Sequence, residues 1–283
     1  MSDGPIPERS APTEAPPIVQ GRAPLQFDTT VAHPARVYDY WLGGKDNFAP
    51  DRDAARKVLE FNPAIVPGVR ANRAFLERVV RYLVTQEGIR QFLDLGTGLP
   101  SANNVHEVAQ AADPQAKVVY VDNDPIVLVH AHALLTGAPG TVSYIDADIT
   151  EPAAVLQEAA GTLDFGAPVA VLLLMTLQFV TGDDDPYALV RTLLDAVPSG
   201  SFLVISHPAS DVDESANEGT RTYNTMVSTS MARRSAQEVA RFFDGLELIE
   251  PGIVQLPHWR PGPDDTVPVG VQVPAYAAVG RKP

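Results

Sequence analysis

The chain has 283 residues, a formal net charge of −14 at pH 7 and no cysteine. Its length can supply one large buried core, and the lack of cysteine excludes disulfides, thiolate nucleophiles and cysteine-ligated zinc. The surplus of acidic residues disfavours nucleic acid or an anionic membrane surface as a partner, because like charges repel each other.

The first segment, residues 1–24, is rich in proline and small polar residues and has few large apolar ones. Such a composition cannot offset the entropy lost on ordering, so we predict a disordered tail. The segment also lacks the basic start and apolar stretch of a secretory signal, and no apolar run approaches the roughly 18 residues that cross a bilayer. We therefore expect a cytoplasmic protein with no membrane partner.

A helical region is predicted next, over residues 25–88, because apolar residues return there at spacings of three and four. Within it, residues 38–48 (YDYWLGGKDNF) are unusually dense in aromatic, glycine and charged side chains. We predict that this helical region forms a lid over a ligand site. The alternative is a docking helix whose aromatic side chains fill the core and which ends at the two glycines.

Residues 89–283 are predicted to form one α/β domain. Apolar strand segments alternate there with amphipathic segments, which is typical of parallel strands covered on both faces by helices. The predicted strands are residues 91–95, 117–122, 141–146, 169–175 and 201–206, and the predicted helices are residues 101–112, 125–135, 152–160 and 186–197.

The pattern changes after the fifth strand. Residues 214–245 are predicted to be helical, with Ser235 as an N-cap and Glu238 completing a capping box. Residues 246–256 and 273–282 have the pattern of two strands joined by a proline-rich connection, which predicts an antiparallel hairpin at the edge of the sheet.

The carboxyl ends of the first three strands share glycines and acidic residues. They are Asp94-Leu95-Gly96-Thr97-Gly98, Asp122-Asn123-Asp124 and Asp146-Ala147-Asp148. Ligands of open parallel sheets bind at this edge, and glycines let the backbone approach a ligand closely. A carboxylate at the end of the second strand can accept hydrogen bonds from both hydroxyls of a ribose, and Asp148 with the backbone of Ile149 can contact the edge of an adenine.

Two cofactor classes compete for this arrangement. A dinucleotide prefers Gly-x-Gly-x-x-Gly, but the third position here is Ser101, preceded by Pro100. Asp94 would repel a diphosphate, whereas it attracts an ammonium or sulfonium group. Because S-adenosylmethionine carries both of these charges, the residues favour it over a nicotinamide dinucleotide.

Three runs resemble a bacterial family of S-adenosylmethionine-dependent methyltransferases long catalogued as a domain of unknown function. They are RVYDYWLGGKDNFAPDRDAA (residues 36–55), FLDLGTGLPSANNVHEVAQ (92–110) and VVYVDNDPIVLVHAHALL (118–135). The resemblance extends from about residue 33 to the C-terminus. It implies the class I methyltransferase fold, a Rossmann-like α/β sheet of seven strands that is mostly parallel and has an antiparallel last strand.

The resemblance also implies roles for individual residues. It places Gly96, Thr97 and Gly98 against the methionine portion, Asp122 on the ribose, and the Asp148–Ile149 pair on the adenine. The full set of predicted cofactor-binding residues in the α/β domain is Asp94, Gly96, Thr97, Gly98, Asp122, Asn123, Asp148, Ile149, Met175 and Gln178.

The lid contributes further predicted contacts. Tyr38, Tyr40 and Trp41 can stack on the adenine or the sulfonium. Arg36, Lys45 and Asn47 can bind the carboxylate of the cofactor or the acceptor.

Two residues are candidates for a general base. His207 follows the fifth strand, and an ordinary histidine pKa near 6.5 suits proton transfer at neutral pH; the alternative is a turn histidine hydrogen-bonded to nearby backbone. Tyr223 lies in the insertion after that strand. We expect no metal site, since His130 and His132 are two positions apart on a helix and face different directions.

These observations together predict an S-adenosylmethionine-dependent methyltransferase that acts on an unidentified small-molecule acceptor. The alternative is a regulatory protein that binds S-adenosylmethionine without catalysing a reaction.

Overall fold

A computed structural model of the protein describes residues 28–134, 140–182, 184–227, 229–262 and 272–283. The predicted disordered tail lies outside these residues. Within them, no helix has both the length and the apolarity needed to cross a bilayer. The cytoplasmic location stays a prediction.

Three helices precede the first strand, and from there strands and helices alternate until the fifth strand. The helices are α1 (Pro34–Leu42), α2 (Ala49–Phe61), α3 (Ile65–Thr85), α4 (Val105–Ala112), α5 (Pro125–Leu134), α6 (Pro152–Ala159), α7 (Pro186–Asp195), α8 (Glu214–Asn224) and α9 (Ala236–Ala240). The strands are β1 (Gln91–Leu95), β2 (Lys117–Asp122), β3 (Val142–Asp146), β4 (Ala170–Leu174), β5 (Phe202–Pro208), β6 (Glu247–Leu248), β7 (Val254–Gln255) and β8 (Ala275–Arg281).

The described strands form one sheet in the order β3-β2-β1-β4-β5-β8-β6, and β7 also pairs with β8. Strands β1 to β5 are mutually parallel, whereas β8 runs antiparallel to β5, β6 and β7. The strand order reverses between β1 and β4, which is the point where ligands of such sheets bind. The predicted α/β architecture with an antiparallel last strand is confirmed.

The C-terminal part of the sheet differs from the prediction in two respects. The last strand lies inside the sheet, between β5 and β6, and not at its edge. Residues 246–256 form two strands of two residues each, because a turn at Gly252, with φ +81°, separates them. The described sheet therefore has eight strands where seven were expected.

Both faces of the sheet are buried. Phe92, Val118 and Leu172 belong to the core that α3 and α4 cover, whereas their neighbours Leu93 and Val119 belong to the core under α6, α7 and the residues after α9. This burial explains the continuous apolarity of the strand segments, since neither side of a strand faces water.

A third apolar cluster joins α1, α2 and α8. Helix α8 approaches α2 closely at Gly219, where a Cβ atom would lie 3.5 Å from the Cβ of Phe61. We call helices α1, α2, α3 and α8 the cap. The insertion after β5 therefore packs with the N-terminal helices, far from it in sequence.

The predicted long helix over residues 214–245 is interrupted. Helix α8 ends at Asn224, whose side chain accepts a hydrogen bond from the N–H of Met231 and donates one to its carbonyl, both at 2.9 Å. These bonds close a loop between α8 and α9. Helix α9 begins after Ser235, and the capping box of Ser235 with Glu238 is confirmed.

Candidate functional site

A cavity of about 720 Å³ lies between the cap and the carboxyl ends of strands β1 to β4. Its volume is within the range of about 300–1,000 Å³ that is usual for small-molecule sites. The cavity occupies the edge where the strand order reverses, so the sheet presents its strand ends to any ligand inside.

The turn after β1 holds two glycines in the left-handed region. Gly96 has φ +72° and Gly98 has φ +67°. A Cβ atom at Gly96 would lie 2.6 Å from Oγ1 of Thr176, whereas one at Gly98 would meet nothing within 4 Å. Packing and backbone conformation therefore both require glycine at position 96, and the space beside Gly98 is open to a ligand.

Asp122 ties this turn to the end of β2. One of its carboxylate oxygens accepts a hydrogen bond from the N–H of Gly98 at 2.7 Å, and the other accepts one from the N–H of Asp124 at 3.0 Å. Burial raises the pKa of Asp122. Asp122 lines the cavity, and each of its oxygens keeps a lone pair that no other described residue uses, so the carboxylate can accept hydrogen bonds from a pair of ribose hydroxyls.

The end of β3 supplies a second acidic side chain. Asp148 accepts hydrogen bonds from the N–H and the hydroxyl of Thr150, at 2.9 and 2.8 Å, and from the side-chain amide of Asn123 at 3.3 Å. These three residues and Ile149 all line the cavity. The contacts fix the carboxylate of Asp148 beside the end of β2.

Asp94 and Arg73 place opposite charges on the same part of the wall. Asp94 is buried, and burial raises its pKa to about 7; the charge of Arg73 acts in the opposite direction, and the charge of Asp122 adds to the increase. Arg73 projects from α3 and donates hydrogen bonds to the carbonyls of Ala102 and Asn103, both at 2.9 Å. Both charged residues line the cavity.

Sequence reasoning missed Arg73 and its neighbour Asn72. The signal that could have found them is the helical spacing of Gly68, Asn72 and Leu76, which all line the cavity from α3. Two adjacent polar residues, Asn72 and Arg73, interrupt the apolar pattern of this helix, and that interruption would have indicated a ligand site.

A buried hydrogen-bond network fixes the end of β4. The amide of Asn72 donates to the hydroxyl of Tyr38 at 2.9 Å and accepts from the hydroxyl of Ser206 at 2.7 Å. The oxygen of Ser206 in turn accepts from the N–H of Met175 at 3.0 Å. Met175 has φ +54°, so this network holds a strained backbone conformation and joins the cap to the sheet.

The structure brings most of the predicted site residues together. Those that line the cavity are Tyr38, Trp41, Asp94, Gly96, Thr97, Gly98, Asp122, Asn123, Asp148, Ile149, Met175, Gln178 and Tyr223. Four predicted cofactor residues of the lid do not line it, namely Arg36, Tyr40, Lys45 and Asn47.

Arg36 and Tyr40 lie within the cap. Arg36 is buried, and it donates to the carbonyls of Asp28 and Val31 and lies 3.7 Å from the carboxylate of Asp51. Tyr40 packs against the apolar cluster of α1, α2 and α8. Their side chains therefore hold the cap together, which corrects the predicted contact with the cofactor.

Asn47 and Lys45 belong to a turn built around Asp39. The carboxylate of Asp39 accepts from the side-chain amide of Asn47 at 2.8 Å and from the N–H of Asp46 at 3.0 Å. Lys45 is exposed on this turn. The density of polar residues after α1 thus reflects the folding of the turn. Its lining residues are Gly43, Gly44 and Asp46, together with Asp39 of α1.

His207 is not at the rim, which corrects the prediction of a general base at this position. Its side chain is buried and outside the lining of the cavity. Nε2 accepts from the guanidinium of Arg234 at 2.6 Å, and Nδ1 donates to the carbonyl of Pro208 at 2.9 Å. Burial lowers the pKa of His207 to about 3, so the ring is neutral, and the alternative of a backbone-bonded histidine is the one observed.

Tyr223 does line the cavity, from α8. Burial raises its pKa well above the ordinary tyrosine value, with a smaller contribution from the charge of Asp51. At neutral pH its hydroxyl is therefore protonated and can donate a hydrogen bond. Over the described ranges, no group of three or more His, Asp or Glu side chains is placed to hold a metal ion.

Residues 20–283 match the profile of a family described as S-adenosyl methyltransferase. A DUF574 family protein from Streptomyces avermitilis is 41% identical, with a TM-score of 0.86 over 90% of this chain and 99% of that one. A protein from Thermobifida fusca, described as a candidate methyltransferase, is 36% identical, with a TM-score of 0.84 over 90% of this chain and 96% of that one. No match is found among the curated proteins.

Proposed function

Because the chain belongs to the S-adenosyl methyltransferase family, we propose that it methylates a small molecule held in the cavity under the cap. The enzyme class is that of the family, an S-adenosylmethionine-dependent methyltransferase. The observation that carries the proposal is that Asp94, Arg73 and Asp122 all line the cavity under the cap.

The charges on this wall fit S-adenosylmethionine. Its amino acid portion has an ammonium and a carboxylate, which match Asp94 and Arg73, and its ribose matches the free lone pairs of Asp122. Asp148 and Ile149 would take the adenine. When bound, the cofactor supplies an activated methyl group on a positively charged sulfur.

The protein residues act by orienting the acceptor and excluding water. Tyr223 is protonated at neutral pH, and His207 is outside the cavity, so neither can accept a proton from the acceptor. We infer that alignment of the acceptor with the methyl group provides most of the rate increase. The polar network of Asn72 and Ser206 would support this alignment by fixing the backbone of Met175.

A small acceptor is favoured by the shape of the site. The cap covers the strand ends, and the cavity is lined from the cap and from the sheet. A nucleic acid is a less favourable acceptor, because its negative charge would be repelled by a chain of net charge −14. The regulatory alternative has no supporting observation of its own.

The test is to supply methyl-labelled S-adenosylmethionine with a bacterial extract and to separate small molecules from macromolecules afterwards. We expect label in the small-molecule fraction, and an Asp122→Ala control should lose it. Label only in protein or nucleic acid would contradict the proposed acceptor class. Tight binding of the cofactor without transfer to any fraction would support the regulatory alternative.

A further inference from the structure

The part of the cavity away from the glycine turn has a largely apolar wall. It is lined by α2, α3 and α8, by Met231 and Arg233, and by the start of β8. We call it the acceptor chamber, and its apolar members include Val69, Ala216, Met231, Val273 and Ala275. Such a wall suits a ligand with an apolar body.

Arg233 is a cation that lines the cavity from the loop between α8 and α9. Its guanidinium donates hydrogen bonds to the carbonyls of Ala209 and Pro274, both at 2.8 Å, and to the hydroxyl of Thr220 at 3.5 Å. Each of its two terminal nitrogens therefore keeps an N–H group without a partner among the described residues. A guanidinium with one free N–H on each terminal nitrogen can bind both oxygens of a carboxylate.

Arg233 also lacks a counter-ion in the part of the chain that the structure describes. No carboxylate there lies within 4 Å of it, whereas buried Arg36 of the cap has Asp51 at 3.7 Å. Arg233 is half-buried, and burial lowers its pKa to about 10, with only a smaller opposing effect from the charge of Asp213. A half-buried charge without a counter-ion is costly, so the position of Arg233 on a ligand cavity calls for a ligand that supplies the opposite charge.

We propose that Arg233 binds an anionic group of the methyl acceptor, which makes the acceptor a small organic anion with an apolar body, such as an aromatic or aliphatic carboxylate. This inference rests on the proposed function, since it assigns the acceptor to the same cavity. Tyr223 adds a hydroxyl group to the same cavity and can donate a further hydrogen bond to that anion.

A purely structural role for Arg233 is the competing explanation. Its bonds to Ala209 and Pro274 strap the end of β5 to the start of β8. That role needs N–H donors but no charge facing the cavity. A test must therefore separate the effect of charge on a ligand from an effect on stability.

The first experiment uses the native protein, saturated with S-adenosylhomocysteine, and a matched pair of probes. 2-Naphthoate and 2-naphthamide have the same apolar body, but only the first carries a charge. We expect calorimetry to find naphthoate bound roughly tenfold or more tightly than naphthamide, as a charge-assisted bond requires. Equal binding of the two, or no binding of either in the millimolar range, would overturn the inference.

The second experiment uses variants. Arg233→Gln should lose the preference for naphthoate, and Thr220→Asp should lose it too, because the new carboxylate lies within reach of Arg233 and occupies it. The matched control is Arg241→Gln, an exposed arginine outside the cavity lining, which should keep the preference. Retention of the preference in both Arg233→Gln and Thr220→Asp would refute the assignment.

The affinity for S-adenosylhomocysteine separates this inference from the proposed function. It should stay within about twofold of the native value in all three variants. If the native protein does not bind S-adenosylhomocysteine, the proposed function fails and this inference fails with it. If it binds S-adenosylhomocysteine but shows no preference for naphthoate, only the anionic acceptor is excluded.

Discussion

Asp94 is a buried carboxyl group whose pKa is held near neutrality, and this makes it sensitive to the charge of a ligand. A carboxyl group raised from its usual 3.8 to about 7 holds its proton better in the folded protein than in the unfolded chain. Its contribution to the free energy of unfolding is therefore fully present at a pH below the pKa of Asp94 in the unfolded chain. This contribution is lost as the pH rises through about 7, the pKa in the folded protein. A cation bound beside it would reverse this loss.

Cofactor affinity should consequently depend on pH. At pH 6 most of Asp94 is protonated, so a bound ammonium must displace a proton, whereas at pH 8 the carboxylate is already formed. We expect the association constant for S-adenosylhomocysteine to rise by about tenfold between pH 6 and pH 8. Calorimetry across this range measures it, and Asp94→Asn should bind weakly with a flat profile. An equal pH dependence in that variant would assign the titration to another group.

Asp122 is expected to provide the largest polar contact with the ribose. Asp122→Asn should lower the affinity for S-adenosylhomocysteine by about 1–3 kcal/mol, because a charge-assisted hydrogen bond is replaced by a weaker one. Asp146→Asn is the matched control, since Asp146 also ends a strand but is exposed and does not line the cavity. Equal affinity in both variants would show that the ribose lies elsewhere.

Arg73 is expected to bind the carboxylate of the amino acid portion. Arg73→Gln should lower the affinity for S-adenosylhomocysteine by on the order of tenfold. 5′-Methylthioadenosine has no amino acid portion, so its affinity for the variant should equal that for the native protein. Competition binding with both ligands measures the difference. A parallel loss for the two ligands would mean that Arg73 acts on the shape of the site and not on the carboxylate.

At the scale of elements, the turn between β1 and α4 and the end of β4 form one unit. Gly96 lies against Thr176, whose hydroxyl donates to the carbonyl of Leu95 at 2.9 Å. Asp122 holds the other side of the turn through Gly98. Contacts with β1, β2 and the end of β4 thus fix the turn. A change in its backbone would therefore displace the predicted cofactor residues on all three strands.

Two glycines with the same φ angle allow a test of the packing of Gly96 against Thr176. Gly88 and Gly96 both have φ +72°, but a Cβ atom at Gly88 would meet nothing within 4 Å. Gly88→Ala should cost only the roughly 1–2 kcal/mol of the left-handed conformation. Gly96→Ala should lower the free energy of unfolding by about 1–3 kcal/mol more than Gly88→Ala does, because its methyl group must displace Thr176. Urea unfolding measures both, and equal costs would show that Thr176 moves freely.

At the scale of the whole molecule, the cavity joins two parts that are distant in sequence. The cap takes α1 to α3 from before the sheet and α8 from the insertion after β5, and the apolar cluster of α1, α2 and α8 unites them. We propose that residues 25–88 act as a lid on the methyltransferase domain of residues 89–283, with α8 contributing to the same cover.

A ligand between cap and sheet should stabilise the whole fold. At a free concentration one hundred times its dissociation constant, S-adenosylhomocysteine should raise the free energy of unfolding by about 2.7 kcal/mol and Tm by roughly 5–10 °C. NAD should produce no shift at the same concentration, since Asp94 disfavours its pyrophosphate. Differential scanning calorimetry with both ligands decides this. Stabilisation by NAD and not by S-adenosylhomocysteine would refute the assigned cofactor class.

The helices and strands of the α/β domain and their acidic strand ends were predictable from local sequence patterns. Strands β1 and β2 begin and end where the apolar segments do, and the capping box at Ser235 is local, because both features depend only on neighbouring residues. The glycine turn and Asp122 were identifiable for the same reason, since parallel strands bring their carboxyl ends to one edge.

Which side chains come into contact depends on the packing of the folded chain. Asn72 and Ser206 are 134 positions apart, and no local pattern joins them. His207 has the position of a base along the chain, yet packing against Arg234 buries it and keeps it neutral. Arg73 and Arg233 likewise gain their places on the cavity from helix and loop packing. Burial and long-range contacts set their charge and exposure, and these are properties of the folded chain.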